Sequence, residues 1–245
     1  TVYKYHNNCL DMDFAVKIYD PVFVSAEEQS EGEKRFFREA KMLFSLNNTH
    51  IARIYDAGRM EGKPYIKMEY IKGYTVEELR KREGNMSFLR SAIVISDILV
   101  GLKHAHERGV IHRDLKPSNV IFSESEKMFK IIDFGVSAFL DTENHTQLTK
   151  TGEHIAGGGF IDPILQQNPK IRDVRCDIYS VGAIWYFLLC GRVPSGSDMR
   201  EYLEKSNSQI TPTDIDIIMK CLSSSIENRY HSCEELLQIV KNAMG

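Results

Sequence analysis

The sequence predicts an α+β fold of two lobes, a small strand-rich lobe over residues 1–71 and a larger helical lobe over residues 72–245. Three observations predict it. Before residue 71, short runs rich in β-branched and aromatic residues alternate with turn residues around one helical stretch. After Gly73 the apolar spacing becomes mostly helical. No internal repeat or low-complexity tract divides the chain, and 245 residues suit one large domain or two lobes sharing a cleft.

The elements follow in order. Thr1 to Tyr5 and Phe14 to Tyr19 read as strands, joined by a polar stretch at Asn7-Asn8. From about Ser25 to Leu46, Phe36, Phe37, Ala40, Leu43 and Phe44 recur near a 3.6-residue period with charges between them, which predicts a helix. Ile51 to Arg59 and Pro64 to Tyr70 read as two strands turning at Glu61-Gly62. Helices are expected near Thr75–Arg82, Ser87–Arg108, Val174–Cys190, Thr213–Leu222 and Cys233–Lys241. Glu69 to Lys72 would connect the lobes, with a crevice between them.

Composition narrows the function classes. With 42% hydrophobic and 27% charged residues the chain reads as an ordinary soluble protein, and a net charge of −3 gives no reason to expect nucleic acid or an anionic membrane as partner. The longest apolar run, around Ile178 to Cys190, is short and broken by Ser180 and Gly182, so no membrane contact is expected. The five cysteines are scattered without a Cys-x-x-Cys pair, which argues against a disulfide framework or zinc site and for a cytoplasmic setting. No secretory leader is visible, and a first residue of threonine leads us to expect a piece of a longer gene product. The sequence sets neither an oligomeric state nor a physiological substrate.

The chemistry is concentrated in His112-Arg113-Asp114-Leu115-Lys116-Pro117-Ser118-Asn119, followed fourteen residues past Asn119 by Asp133-Phe134-Gly135. Moving a phosphoryl group to a hydroxyl needs such a set: a carboxylate to orient the hydroxyl, a cation for the migrating charge, and oxygen ligands for magnesium. The order and spacing resemble the catalytic and magnesium loops of the eukaryotic-type serine/threonine protein kinases, and the resemblance covers essentially the whole chain. It implies a two-lobed protein-kinase fold, ATP and magnesium as cofactors, and a protein substrate.

By this resemblance Asp114 would orient the substrate hydroxyl and accept its proton, and Lys116 would stabilise the transferred charge. Asn119 and Asp133 would be the metal ligands. Lys17, in Ala15-Val16-Lys17-Ile18, would grip the α- and β-phosphates, held by Glu39 on the following helix. Val2, Ala15, Met68, Glu69, Ile71 and Ile121 would complete the nucleotide site, with Ala15 and Ile121 sandwiching the ring and backbone groups of Glu69 and Ile71 bonding its edge. Gly135 permits the turn after the magnesium aspartate, and Phe134 is expected beneath the Glu39 helix near Leu43 and His112. Asp177 and Arg229 match bracing residues. His112 reads as support for the loop; His104 and His106 face apart on a helix, which argues against a histidine metal site.

The sequence departs from the pattern in two places. Counting back from Lys17, Val2 follows directly on the position of the glycine-rich phosphate loop, which is expected to precede the given sequence. In Ala156-Gly157-Gly158-Gly159-Phe160-Ile161-Asp162-Pro163-Ile164, Gly157 stands for a threonine and Ile164 for a glutamate that would pair with Arg229. Asp162 or a helix carboxylate is expected to replace that glutamate. Arg113 implies control by a phosphorylated loop residue, with Thr142, Thr146, Thr149 and Thr151 as candidates. Lys116-Pro117 favours serine/threonine substrates. The alternatives are a pseudokinase acting as a nucleotide-binding scaffold, and a small-molecule phosphotransferase.

Overall fold

The computed structural model describes residues 2–19, 26–134, 158–206 and 210–245, without the side chains of 26–28, 35 and 39. Four antiparallel strands, β1 (Val2–Asn7), β2 (Met12–Ile18), β3 (Ile54–Met60) and β4 (Lys63–Glu69), form a first sheet in the order β1-β2-β4-β3. Glu61 and Gly62 join β3 to β4 with φ of 51° and 81°, the two positive values that a tight two-residue hairpin requires. Strand alternation sorts β2 into two faces: Phe14 and Val16 are buried, while Ala15 and Lys17 turn to the other side. Register then aligns Ala15 with Met68 and Lys17 with Val2, so one face of the sheet collects these four residues.

Helix α1 (Ala26–Phe44) packs across this sheet through Phe36 and Ala40, which meet Ile66 with Tyr19, Phe37 and Ile54 around them. The rest is largely helical. Helices α2 (Val76–Glu83), α3 (Phe88–His106), α4 (Pro163–Gln167), α5 (Arg175–Cys190), α6 (Met199–Ser206), α7 (Pro212–Cys221) and α8 (Cys233–Ala243) surround one apolar core. Reciprocal side-chain caps start two of them, Thr75 with Glu78 on α2 and Thr211 with Asp214 on α7. Helix α5 is the axis, buried along nearly its whole length, with Trp185 Nε1 donating to Ser91 Oγ of α3 at 2.9 Å. At Gly182 an added Cβ would lie 2.5 Å from Cys221 Cβ, so α5 approaches α7 closely only because that position lacks a side chain.

A second, small sheet that the sequence did not announce lies within this mostly helical region. Strands β5 (Gly73–Thr75), β6 (Val120–Ser123) and β7 (Met128–Ile131) pair antiparallel in that order. Runs of three and four residues carry too little periodicity to be told from helix or loop. This sheet is tied to the first lobe just before β3. Ala52 N–H donates to Ile131 O at 2.8 Å and Ile131 N–H donates to His50 O at 2.9 Å.

Candidate active site

The shared face of the first sheet and the end of the second enclose a cavity of about 300 Å³. Its lining includes Val2, Ala15, Lys17, Met68, Glu69, Ile71, Ile121 and Asp133, together with Tyr3, Lys4, Tyr70 and Ile132. The second four went unread as site residues in the sequence, although Tyr3, Tyr70 and Ile132 each adjoin one that was read. The walls are mostly aliphatic, which suits a flat ring, and polar groups gather at Lys17 and Asp133.

Lys17 Nζ lies 2.8 Å from both carboxylate oxygens of Asp133, across 116 residues of sequence. Glu39 lies on α1, and its side chain is outside the described residues. Behind this pair, Leu43, Met68 and Phe134 line a smaller recess, and the Phe134 ring stands 4.8 Å from that of His112. Gly135, Gly157 and the four loop threonines fall outside the described residues.

The 112–119 segment is held from within. Asp177, on α5 and fully buried, accepts from the backbone N–H groups of His112 and Arg113, each at 2.8 Å, and meets His106 Nε2 at 2.7 Å. Burial alone would push its carboxyl up. The His106 hydrogen bond, the electrostatic influence of the His106 and His112 rings and the Arg113 N–H together outweigh burial and hold it below the usual carboxylate range. Arg113 takes a φ of 65°, a left-handed conformation that a non-glycine residue keeps only under restraint. His112 is completely buried, and burial keeps its imidazole below the ordinary value, so it is neutral at pH 7.

At the surface of this segment, Lys116 Nζ lies 3.1 Å from Asp114 Oδ2, and both side chains are partly exposed. Asn119 lies outside the cavity lining but adjoins it: its carbonyl accepts from Ile132 N–H at 3.0 Å. Its Nδ2 donates to Asp114 O at 2.9 Å, so the amide nitrogen, not the amide oxygen, makes that bond. Among the described residues no three of His, Cys, Asp and Glu converge as a metal cluster. One amide oxygen and one carboxylate suit magnesium, which takes few protein ligands when phosphates supply the rest.

Arg229 is fully buried, and Asp162 supplies its acceptor with both carboxylate oxygens. Ser223 O and Arg175 O accept further bonds at 2.8 and 3.1 Å. Asp162 therefore substitutes for the glutamate missing at Ile164. Burial and the neighbouring Asp162 carboxylate push the Cys176 thiol up to about 12, so that cysteine is unreactive.

No helix among the described residues is long and apolar enough to cross a membrane. The sequence is 29% identical to a probable serine/threonine-protein kinase of Clostridium acetobutylicum, covering 98% of this chain and 37% of that protein. It is 33% identical to the serine/threonine-protein kinase PknB of Mycobacterium tuberculosis, over 82% of this chain and 34% of that protein. A second probable serine/threonine-protein kinase, from Clostridium perfringens, is 29% identical over 96% of the chain and 35% of its own length. The chain thus spans little more than a third of the curated relatives it matches. With a match to the protein kinase domain over residues 1–244 and the two-lobed architecture described above, the chain belongs to the protein kinase family.

Proposed function

We propose that this chain is the catalytic domain of a serine/threonine protein kinase that transfers the γ-phosphoryl group of ATP to a protein hydroxyl. One observation carries the reading. Lys17 and Asp133, far apart in sequence, close on each other at 2.8 Å at the polar end of an aliphatic cavity, and Asp133 directly follows Ile132, which is bonded to Asn119.

In the proposed reaction the adenine ring lies between Ala15 and Ile121, with Met68 at its back and Val2 above it. Glu69 N–H already donates to Arg53 O at 2.8 Å, so Glu69 offers the ring edge its carbonyl, which matches an amino group. Lys17 then turns from Asp133 to the α- and β-phosphates, with Glu39 as its proposed partner. Asn119 and Asp133 would hold magnesium, which neutralises phosphate charge. Asp114 orients the hydroxyl; its oxygen bonds to the γ-phosphorus, the β–γ bridging bond breaks, and the proton passes to Asp114. Lys116 stabilises the equatorial charge.

Residues 1–71 and 72–245 are the proposed lobes. Burial and then the nearby Arg172 charge lower the Arg113 pKa, and two guanidinium groups this close support docking of a phosphorylated loop residue. The five cysteines are free, which supports a reducing, cytoplasmic setting. The test is incubation with γ-labelled ATP, magnesium and a protein substrate. Label on serine or threonine is expected, and Asp114→Ala should remove it by at least about a thousandfold while leaving the fold intact. Nucleotide binding without transfer would favour the pseudokinase, and label on a small alcohol the third reading.

A further inference from the structure

Among the described residues Lys130 is the one buried lysine, 4% exposed. It stands on β7, three residues before Asp133. Its Nζ lies 2.6 Å from Glu69 Oε1 and 2.5 Å from Glu126 Oε2. Glu126 belongs to the β6–β7 turn, but Glu69 ends β4, in the other sheet. The Lys130–Glu69 pair is therefore a strut between the two sheets, and its Glu69 end lines the cavity.

Glu69 is held on every other side. Its Oε2 accepts from Arg53 N–H at 3.1 Å, its own N–H donates to Arg53 O, and it pairs in register with Phe14. Its N–H and both carboxylate oxygens are thus engaged within the protein, and Glu69 still lines the cavity. The far end of the strut is as firmly placed. Ile131, next to Lys130, is bonded to His50 and Ala52, and Ile132 to Asn119, before the chain reaches Asp133. An aliphatic pair of similar volume would hold the sheets together as well as an ion pair does. What an ion pair adds is a defined distance and direction.

We propose that Lys130 is a positioning residue for the nucleotide: it fixes the Glu69 carbonyl against Ile132 and Asp133 so that a 6-amino purine is accepted there and a 6-oxo purine refused. This inference rests on the proposed nucleotide site. Lys130 touches neither base nor phosphate. Its effect passes through Glu69, so the two residues act as a unit.

The experiment is direct binding of ADP and GDP, without metal, to the 245-residue chain and its variants, by displacement of a fluorescent ADP analogue. Lys130→Met should weaken ADP about tenfold, the worth of one well-placed hydrogen bond, and GDP by less than about twofold. Lys130→Arg should restore most of the ADP affinity. Glu69→Gln should weaken ADP, and the double variant should be no weaker than Lys130→Met alone. If Lys130→Met does not fold, Glu69→Gln and Lys130→Arg carry the test, since each keeps the shape of the strut. Equal ADP affinity in folded Lys130→Met or Glu69→Gln, or additive losses in the double variant, would overturn the positioning role. A wild-type chain that binds neither nucleotide would instead bring down the site reading itself.

Discussion

Replacing Asp162 by Asn tests how the glycine-rich segment before α4 is anchored. Both Asp162 and Arg229 have fully buried side chains, and the guanidinium spans both carboxylate oxygens. Removing one charge of such a pair leaves the other buried without its counter-charge, which costs roughly 3–5 kcal/mol. Two features move the expectation to about 3 kcal/mol, the lower end of that range. Ser223 O and Arg175 O continue to accept from Arg229, and an Asn at 162 can still cap Ile164 N–H as Asp162 Oδ1 does at 3.0 Å. Asp162→Ala loses that cap too and should cost about 1 kcal/mol more. Urea unfolding followed by tryptophan fluorescence reads the change through Trp185, the single tryptophan. A slope near 2 kcal/mol per molar would convert the loss into a midpoint shift of about 1.5 M. The double variant Asp162→Leu with Arg229→Met should recover most of the stability. A loss below about 1 kcal/mol for Asp162→Asn would refute the reasoning, because it would mean the guanidinium is satisfied without a carboxylate.

Three further outcomes are expected. Asp177→Ala orphans His106 and two backbone donors, and at about 1–3 kcal/mol per buried unpaired group the melting temperature should fall steeply, with phosphoryl transfer lost alongside it; an unchanged melt would sink the bracing role. Burial lowers the His112 pKa, so the unfolded chain takes up its proton first as pH falls through about 6.5. Stability is therefore complete above that pH and declines below it by up to about 1.4 kcal/mol per pH unit. Burial lowers the His104 pKa too, and His112→Asn should remove one proton's share of the slope in denaturation curves taken from pH 7.5 downward, leaving that of His104. Ser91→Ala leaves Trp185 Nε1 without its acceptor inside the core, and a loss of about 1–3 kcal/mol in the same urea assay is expected.

Much of the first lobe was legible because its elements are long enough to show a period. α1 spans 19 residues, so Phe36 could be placed on its apolar face from periodicity, whereas Ala15 and Lys17 were placed by the motif around them, and the faces of β2 emerged only with the structure. The 112–119 and 133–135 motifs were legible for another reason: their chemistry is carried by residue type and spacing. The three-stranded second sheet was not, since Val120–Ser123 and Met128–Ile131 are four-residue runs. Lys130 was invisible for a related cause. In sequence it is one lysine among many charges, and only the meeting of β4 with β7 makes it a buried partner of Glu69. Asp162 was half legible, because the missing glutamate at 164 raised the question of a replacement while several carboxylates could have answered it. Ile132 and Tyr70 line the cavity by adjacency to residues already marked, which residue type alone does not signal.

The contact of Asp177 with the 112–113 backbone has a thermodynamic consequence. A left-handed arginine costs on the order of 1–3 kcal/mol, and here that distortion is imposed by a helix in the deepest part of the apolar core. Folding alone bends the chain at Arg113 into shape, so arrival of a ligand need supply none of that energy. That part of the site is cast before use; on the proposed reading, what remains adjustable is the sheet above it, where Lys17 would exchange the Asp133 carboxylate for a phosphate.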